Sequence, residues 1–294
     1  MTRIIVTPGN SYTDIDGLAC AIAYAELLRN NGKDAIAVCS GPLNSTVPDF
    51  LKSIAHTYSH LDISGDSYVL VDVSDKKFIE LIIPIESVIE VFDHHFGYED
   101  FWKTQLGSKS RIEPIGAAAT LIWEEWKSSG KSESISHESA TLLAHAILSN
   151  TVNFQLSLTH ERDRIALSEL EVMLDLRSGW RESYFSLQQD LIENDPIKAI
   201  RYDMKVIGSY AFGQLEIWES HSFVKNIHFE NIFHEMGYEQ WIINIVDISR
   251  GISIIQSNQD SFLESIGKNT NAVKDKNILT LPKLMLRKEL LRFL

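Results

Sequence analysis

Hydrophobic and polar positions along the N-terminal half alternate between short β-branched runs and longer stretches of helical spacing. Arg3–Val6, Ala35–Cys39, Tyr68–Asp72 and Ser87–Asp93 are short, rich in Val and Ile and bounded by turn residues, the pattern of buried strands. Ile15–Asn31 carries apolar residues at Leu18, Ile22, Ala25 and Leu28 and stops at Gly32, which predicts a helix. Ala117–Ser129, Ser136–Ser149 and His160–Asp175 share that spacing, and the Ser/Gly/Lys-rich stretch Ser128–Ser136 reads as a loop. Strands separated by helices predict βαβ units and a mostly parallel, doubly wound sheet. Ligands of such sheets bind outside the carboxyl ends of the strands, so the residues after each strand are the place to look for chemistry.

Polar turn signals at Glu193-Asn-Asp-Pro196 interrupt the pattern. A second α/β unit follows, with strands predicted at Lys205–Tyr210, Gln214–Trp218, Trp241–Asp247 and Ile252–Gln256 and a helix around Asn226–Met236. A length of 294 residues suits two domains. The expected architecture is therefore α/β in both: residues 1–190 with the mostly parallel sheet, and a smaller domain over 196–294.

Charge narrows the partners. The formal net charge is -13, which argues against capture of long nucleic acid by a basic face. From Lys274 onward six basic residues face only Asp275 and Glu289, so an acidic body ends in a basic segment. That distribution suits a small anionic substrate, and a solvated helix face explains it equally well. No apolar run approaches the ~18 residues of a membrane span, and the N-terminus has no signal-peptide pattern, so a cytoplasmic location is expected. Cys20 and Cys39 sit in apolar surroundings and read as buried small hydrophobes rather than as a disulfide.

Four strand or helix ends carry groups able to do chemistry: Asp14 and Asp16 after the first strand, Asp72 and Asp75 after the third, Asp93-His94-His95 after the fourth, and Asn150 after a helix. Alone, a D-x-D is more often a helix cap and a strand-end Asp a turn former. The Asp-His-His triplet, directly after an Ile/Val/Phe strand, has little packing rationale. Together the groups read as a site for divalent metal: carboxylates serve Mg²⁺, and imidazole suits Mn²⁺, Co²⁺ or Zn²⁺. Two such ions ~3.5–4 Å apart can activate water and clamp a phosphoryl oxygen.

At these residues the sequence resembles the DHH phosphoesterase superfamily, and within it the branch of family II inorganic pyrophosphatases, cytosolic exopolyphosphatases and prune proteins. Gly116-Ala-Ala-Ala-Thr120 and Thr159-His-Glu-Arg-Asp163 are similar to further family segments, as are Arg201-Tyr-Asp203-Met-Lys205 and Val246-Asp-Ile-Ser in the second domain. The resemblance implies a metal-dependent hydrolase of phosphoanhydride bonds that uses metal-activated water and two divalent ions, Mg²⁺ or Mn²⁺ with Co²⁺ as a further option. Asp14 and Asp72 would hold one ion, and Asp16, Asp72 and His94 the other. His95 would touch the phosphate, with Asp93 orienting an imidazole. Lys205, Arg287 and Lys288 would hold substrate phosphates from the second domain, with the active site in the cleft between the domains.

The chain departs from the family in three places. Asn10 stands where the pyrophosphatases have His, as in the exopolyphosphatase/prune branch, which shifts the expected substrate toward inorganic polyphosphate. Asn150 stands where both branches have a metal-binding Asp; its amide oxygen can ligate but brings no charge, and Asp75 or Asp163 are the candidates to compensate. Leu286-Arg287-Lys288-Glu289 is a changed form of the S-R-K-K segment. Three functions are carried forward: a polyphosphate or pyrophosphate hydrolase, a phosphoesterase on nucleotide polyphosphates or short oligonucleotides, and a prune-like binding protein with weakened catalysis. The assembly is left open, with a homodimer among the options.

Overall fold

A computed structural model of the chain describes residues 3–9, 13–39, 42–54, 67–79 and 83–294. It divides into two compact units, Met1–Ser178 and Gly179–Leu294.

The first unit contains β1 (Ile4–Thr7), α1 (Ile15–Asn30), β2 (Ala35–Ala37), α2 (Asp49–Ile54), β3 (Ser67–Val71), β4 (Val88–Asp93), α3 (Glu99–Leu106), β5 (Ser110–Ile112), α4 (Ala118–Ser128), α5 (His137–Asn150) and α6 (Glu161–Leu174). Its five strands form one parallel sheet in the order β2-β1-β3-β4-β5. Alternate strand residues point to opposite faces. Ile5, Leu70 and Val91 pack with Trp102 of α3, while Phe92 faces the other way, against Tyr24 of α1. Both faces are covered, which is why these strands read as continuous apolar runs rather than as alternation. Helix α1 packs on α4 and α5, and α6 packs on α5 and α4. The order places a switch point between β1 and β3, where connections leave in opposite directions and a crevice opens at the strand ends.

The second unit contains α7 (Trp180–Asn194), α8 (Pro196–Asp203), β6 (Lys205–Ile207), β7 (Tyr210–Ile217), α9 (His221–Asn226), α10 (Phe229–Glu235), β8 (Trp241–Asp247), β9 (Ile252–Ser257), α11 (Asp260–Asn269), β10 (Val273–Asp275), β11 (Ile278–Leu281) and α12 (Arg287–Leu290). Its sheet has the order β10-β11-β9-β8-β7-β6, with β7 and β8 parallel and the other pairs antiparallel. One face packs Leu215, Ile243 and Ile245 against Ile200, Phe223, Phe229 and Phe233; the other packs Phe212, Ile242 and Ile255 against Phe262, Leu263 and Ile266.

The sequence pattern put the boundary near Pro196, but the units divide between Ser178 and Gly179, because α7 packs on β7 and α8. The helix expected around Asn226–Met236 is α10, which begins three residues later at Phe229; a separate short helix, α9, ends at Asn226, with Ile227-His228 between them. The strand expected over Lys205–Tyr210 is a hairpin that turns at Gly208, whose φ of 60° is open to glycine without strain. Both cysteines are buried and neither forms a disulfide. Among the described residues no helix is long and apolar enough to cross a membrane.

Candidate metal centre

The strand ends of the first unit bring the acidic and imidazole groups together. Asp14 caps α1, its Oδ1 accepting from the Gly17 N–H at 3.0 Å, so the commonplace role of the first Asp of D-x-D is realised. Asp16, in the first turn of α1, is fully buried. Its Oδ2 accepts from the Ala118 N–H and its Oδ1 from the Ala119 N–H, each at 2.8 Å. Those two amides open α4, where unpaired N–H groups and the helix dipole favour an anion.

Asp72 follows β3 with φ of 58°, a left-handed conformation that few residues other than Gly, Asn and Asp adopt. It is buried, and its Oδ1 makes no hydrogen bond. Facing that oxygen are His94 Nε2 at 3.3 Å and His95 Nδ1 at 3.8 Å, and His94 Nε2 lies 3.9 Å from Asp16 Oδ2. The other ring nitrogen of His94, Nδ1, sits 3.1 Å from the Ile115 carbonyl, which makes it the proton donor and leaves the lone pair of neutral His94 on Nε2. An imidazole lone pair and two carboxylate oxygens thus face one another, and a cation reconciles them. Cis ligands ~2.1 Å from an octahedral ion stand ~3 Å apart, close to the 3.3 Å seen between His94 and Asp72. Asp72, His94 and His95 offer three ligand atoms within 4.8 Å of one another.

Charge points the same way. Burial, then the Asp14 and Asp16 carboxylates, push Asp72 well above the usual carboxylate range. Burial also raises Asp16, against the attraction of His94 and with the repulsion of Asp14. Anions crowded in low dielectric either hold protons or bind cations.

Asp93 Oδ1 accepts from the His94 N–H at 2.8 Å, the His95 N–H at 3.2 Å and His95 Nδ1 at 2.8 Å. Burial opposes its ionisation, but these contacts outweigh burial and hold its pKa below the ordinary value. Desolvation opposes protonation of His95, yet the Asp93 hydrogen bond and the Asp72 charge leave its pKa raised. With Nδ1 held by Asp93, Nε2 is the ring nitrogen left to meet a ligand, and the side chain is 60% exposed.

Asn150 ends α5 and joins the cluster, Nδ2 donating to Asp16 Oδ2 at 2.5 Å. It is followed by three residues in the left-handed region, Val152, Asn153 and Phe154. Neither residue named as a compensating carboxylate fills that role. Asp75 Oδ1 caps a turn through the Lys77 N–H at 2.9 Å. Asp163 is buried and takes the Gly116 N–H, the His160 N–H and the Thr120 hydroxyl. Asn10 lies outside the described residues.

The three expected phosphate-binding cations lie within the second unit. Lys205 opens β6 and Arg287 and Lys288 open α12, close enough that Arg287 repels Lys205 and Lys205 repels Lys288. Both lysines stand at the surface and are held below the usual ammonium range, partial desolvation being the larger cause. Arg287, in contrast, is buried. Its Nη2 bonds Asp203 Oδ1 at 3.0 Å, and Nη1 meets the Asp203 carbonyl and the Phe212 carbonyl, the latter at 3.2 Å. Glu289 Oε2 accepts the Leu286 N–H at 2.9 Å and so caps the short helix, which gives the acid at this position a structural use. Sequence reading missed the Ile115 carbonyl and the Ala118 and Ala119 amides, although the small-residue run Gly116–Thr120 marked the place.

Fold and site define a two-domain α/β protein whose first domain gathers aspartate and histidine around a place for divalent metal. Residues 3–147 match the DHH family, N-terminal domain. A Listeria welshimeri protein assigned as a manganese-dependent inorganic pyrophosphatase is 30% identical over 187 residues, covering 60% of this chain and 57% of its own length. A Bacillus cereus protein of the same assignment is 29% identical over 187 residues, with the same coverage. The chain thus aligns with little more than half the length of these curated relatives. Among solved structures, a Methanococcus jannaschii protein assigned to the family II inorganic pyrophosphatases shares the fold over 99% of both chains, with a TM-score of 0.70 and 22% identity. An exopolyphosphatase-related protein of Bacteroides fragilis matches 99% of this chain and 90% of its own, with a TM-score of 0.54 and 16% identity.

Proposed function

We propose that this chain is a metal-dependent hydrolase of phosphoanhydride bonds, acting on inorganic pyrophosphate or polyphosphate and releasing orthophosphate. The observation that carries the proposal is the buried, unbonded Asp72 Oδ1, faced by His94 Nε2 and His95 Nδ1. The relatives named for manganese-dependent pyrophosphate hydrolysis support the same chemistry. Asn10, similar to the exopolyphosphatase branch, supports polyphosphate as the longer substrate.

Asp14, Asp16, Asp72 and His94 would hold the metal, Mn²⁺ or Mg²⁺, with Asn150 beside Asp16. The bound cations supply positive charge to phosphoryl oxygens and acidify water. The protein's own groups do the rest. The Ile115 carbonyl keeps the proton of His94 on Nδ1, so that Nε2 stays a ligand. Asp93 fixes the ring of His95 and favours its protonated form, which leaves Nε2–H to donate to a phosphoryl or leaving-group oxygen. Lys205 and Lys288 add charge for the phosphates, while Arg287 holds the segment that carries Lys288.

The test is phosphate release from pyrophosphate, tripolyphosphate and long polyphosphate, each with Mg²⁺, Mn²⁺ and Co²⁺. Release is expected with at least Mn²⁺, and Asp72→Ala should lower it at least about a hundredfold. No release with any metal, or an Asp72→Ala variant as active as the parent, overturns the hydrolase reading. Release from nucleotide polyphosphates or short oligonucleotides alone would move the substrate class, and metal binding without turnover would favour a binding protein.

A further inference from the structure

Three residues of the stretch 115–119, which runs from the β5–α4 connection into the first turn of α4, touch the metal centre from behind. The Ile115 carbonyl faces His94 Nδ1 at 3.1 Å, and the Ala118 and Ala119 amides donate to the two oxygens of Asp16 at 2.8 Å. One carboxylate, remote in sequence, grips this stretch. Asp163 of α6 is fully buried; its Oδ2 accepts the Gly116 N–H at 2.9 Å and its Oδ1 the Thr120 hydroxyl at 2.7 Å, one contact at each end of the ligand-orienting amides. The same Oδ2 accepts the His160 N–H at 2.7 Å, which ties the grip to the start of α6. The fit leaves no slack: a Cβ on Gly116 would stand 2.6 Å from Asp163 Oδ2 and 2.6 Å from Thr151 Cγ2. Asp163 thus holds three donors on its two oxygens.

We infer that Asp163 is a positioning residue for the metal ligands, acting on Asp16 and His94 through the backbone of residues 115–119. The inference rests on the metal-binding reading above, and goes beyond it by assigning a determinant of affinity outside the ligand set. Three donors converge on Asp163 from two segments, an arrangement that costs a buried charge and is more than a helix start needs: Ser136 caps α5 with a neutral hydroxyl and Asp14 caps α1 through a single N–H. Groups that orient metal ligands from behind affect affinity about 10–100-fold when removed.

The experiment is calorimetric titration of the full chain with Mn²⁺ alone. Asp163→Ala should weaken Mn²⁺ binding about 10–100-fold. Asp163→Asn should hold affinity within about threefold, since its amide oxygen can take the two N–H groups while its NH₂ donates to Thr120 Oγ1. Gly116→Ala, which displaces the segment without removing the carboxylate, should weaken binding as well, and it keeps the test open if Asp163→Ala does not fold. Leu170→Ala, on the same helix but away from the segment, controls for general loosening and should bind Mn²⁺ as the parent does. Parent-like affinity in Asp163→Ala, or in Gly116→Ala where Asp163→Ala does not fold, overturns the inference and leaves the metal site standing. Equal weakening by Leu170→Ala also overturns it. Absence of Mn²⁺ binding by the parent chain overturns the metal reading and this inference together.

Discussion

Asn150→Asp offers the sharpest probe of the centre, because it should move two properties in opposite directions. Asn150 Nδ2 now donates to Asp16 Oδ2 at 2.5 Å, beside carboxylates that burial and mutual repulsion already push upward. Exchange for Asp removes a hydrogen bond to a charged group, about 1.5–3 kcal/mol. It also places a second anion against the first. At an effective dielectric constant of ~20 two charges ~4 Å apart repel by about 4 kcal/mol, an upper bound because the pair can keep one proton between its oxygens. A net loss of about 2 kcal/mol in chelator at pH 8 follows, or about 4–8 °C in Tm for a domain of this size. The pH dependence has a defined sign. The shared proton gives the folded pair a pKa above that of the unfolded carboxyls, so between the two values the native state holds more protons, and stability falls as pH rises. The deficit should therefore be small at pH 5 and full at pH 8. With Mn²⁺ the added charge becomes a ligand, and the dissociation constant should tighten by about tenfold or more. Thermal melts in chelator at both pH values, with calorimetric titration of Mn²⁺, read each effect. Equal melting of parent and variant at pH 8, with unchanged Mn²⁺ affinity, would show that Asn150 does not face Asp16.

Further outcomes separate structural from functional roles. Arg287→Ala should destabilise the second domain by about 2–4 kcal/mol in urea melts, since it leaves the acceptors of Asp203 and Phe212 unpaired; Lys288→Ala, on an exposed side chain, should stay within about 0.5 kcal/mol and instead raise KM for the phosphate substrate. Burial holds His145 at a pKa of about 4, against the effect of its Thr141 carbonyl contact. The unfolded chain then takes up a proton that the native state refuses as pH falls below 6.5, and this group should withdraw about 2–3 kcal/mol of stability by pH 4.5. His145→Gln should remove that share of the acid sensitivity, and an unchanged difference between pH 7 and 4.5 would show that His145 titrates normally.

The first domain was legible because its strands are buried on both faces and its helices end on Gly or polar caps, so β1, β3, β4, α1, α4, α5 and α6 fall within a residue or two of their expected bounds. Short elements were not: β5 (Ser110–Ile112) and β10 (Val273–Asp275) have three residues each, too few for a period to show, and α3 has one fully buried anchor, Trp102. The domain boundary was misplaced because a Pro at a helix start punctuates a chain as strongly as a linker does; Pro196 merely opens α8. At the site, side-chain identities pointed to Asp14, Asp16, Asp72, His94 and His95, since those residue types at strand ends are costly without a ligand. What a sequence cannot display is backbone contribution. The Ala118 and Ala119 amides and the Ile115 carbonyl carry no chemical label, and Arg287 reads as a substrate cation until its guanidinium is seen against Asp203.

The left-handed turn at Asp72 carries a cost in stability. A buried anion on a backbone conformation that disfavours a side chain weakens the fold, and a glycine or an asparagine there would be the easier residue to keep. The chain carries aspartate there, with both histidines beside it. A cation bound there would neutralise the crowded charge and return the stability that this turn costs.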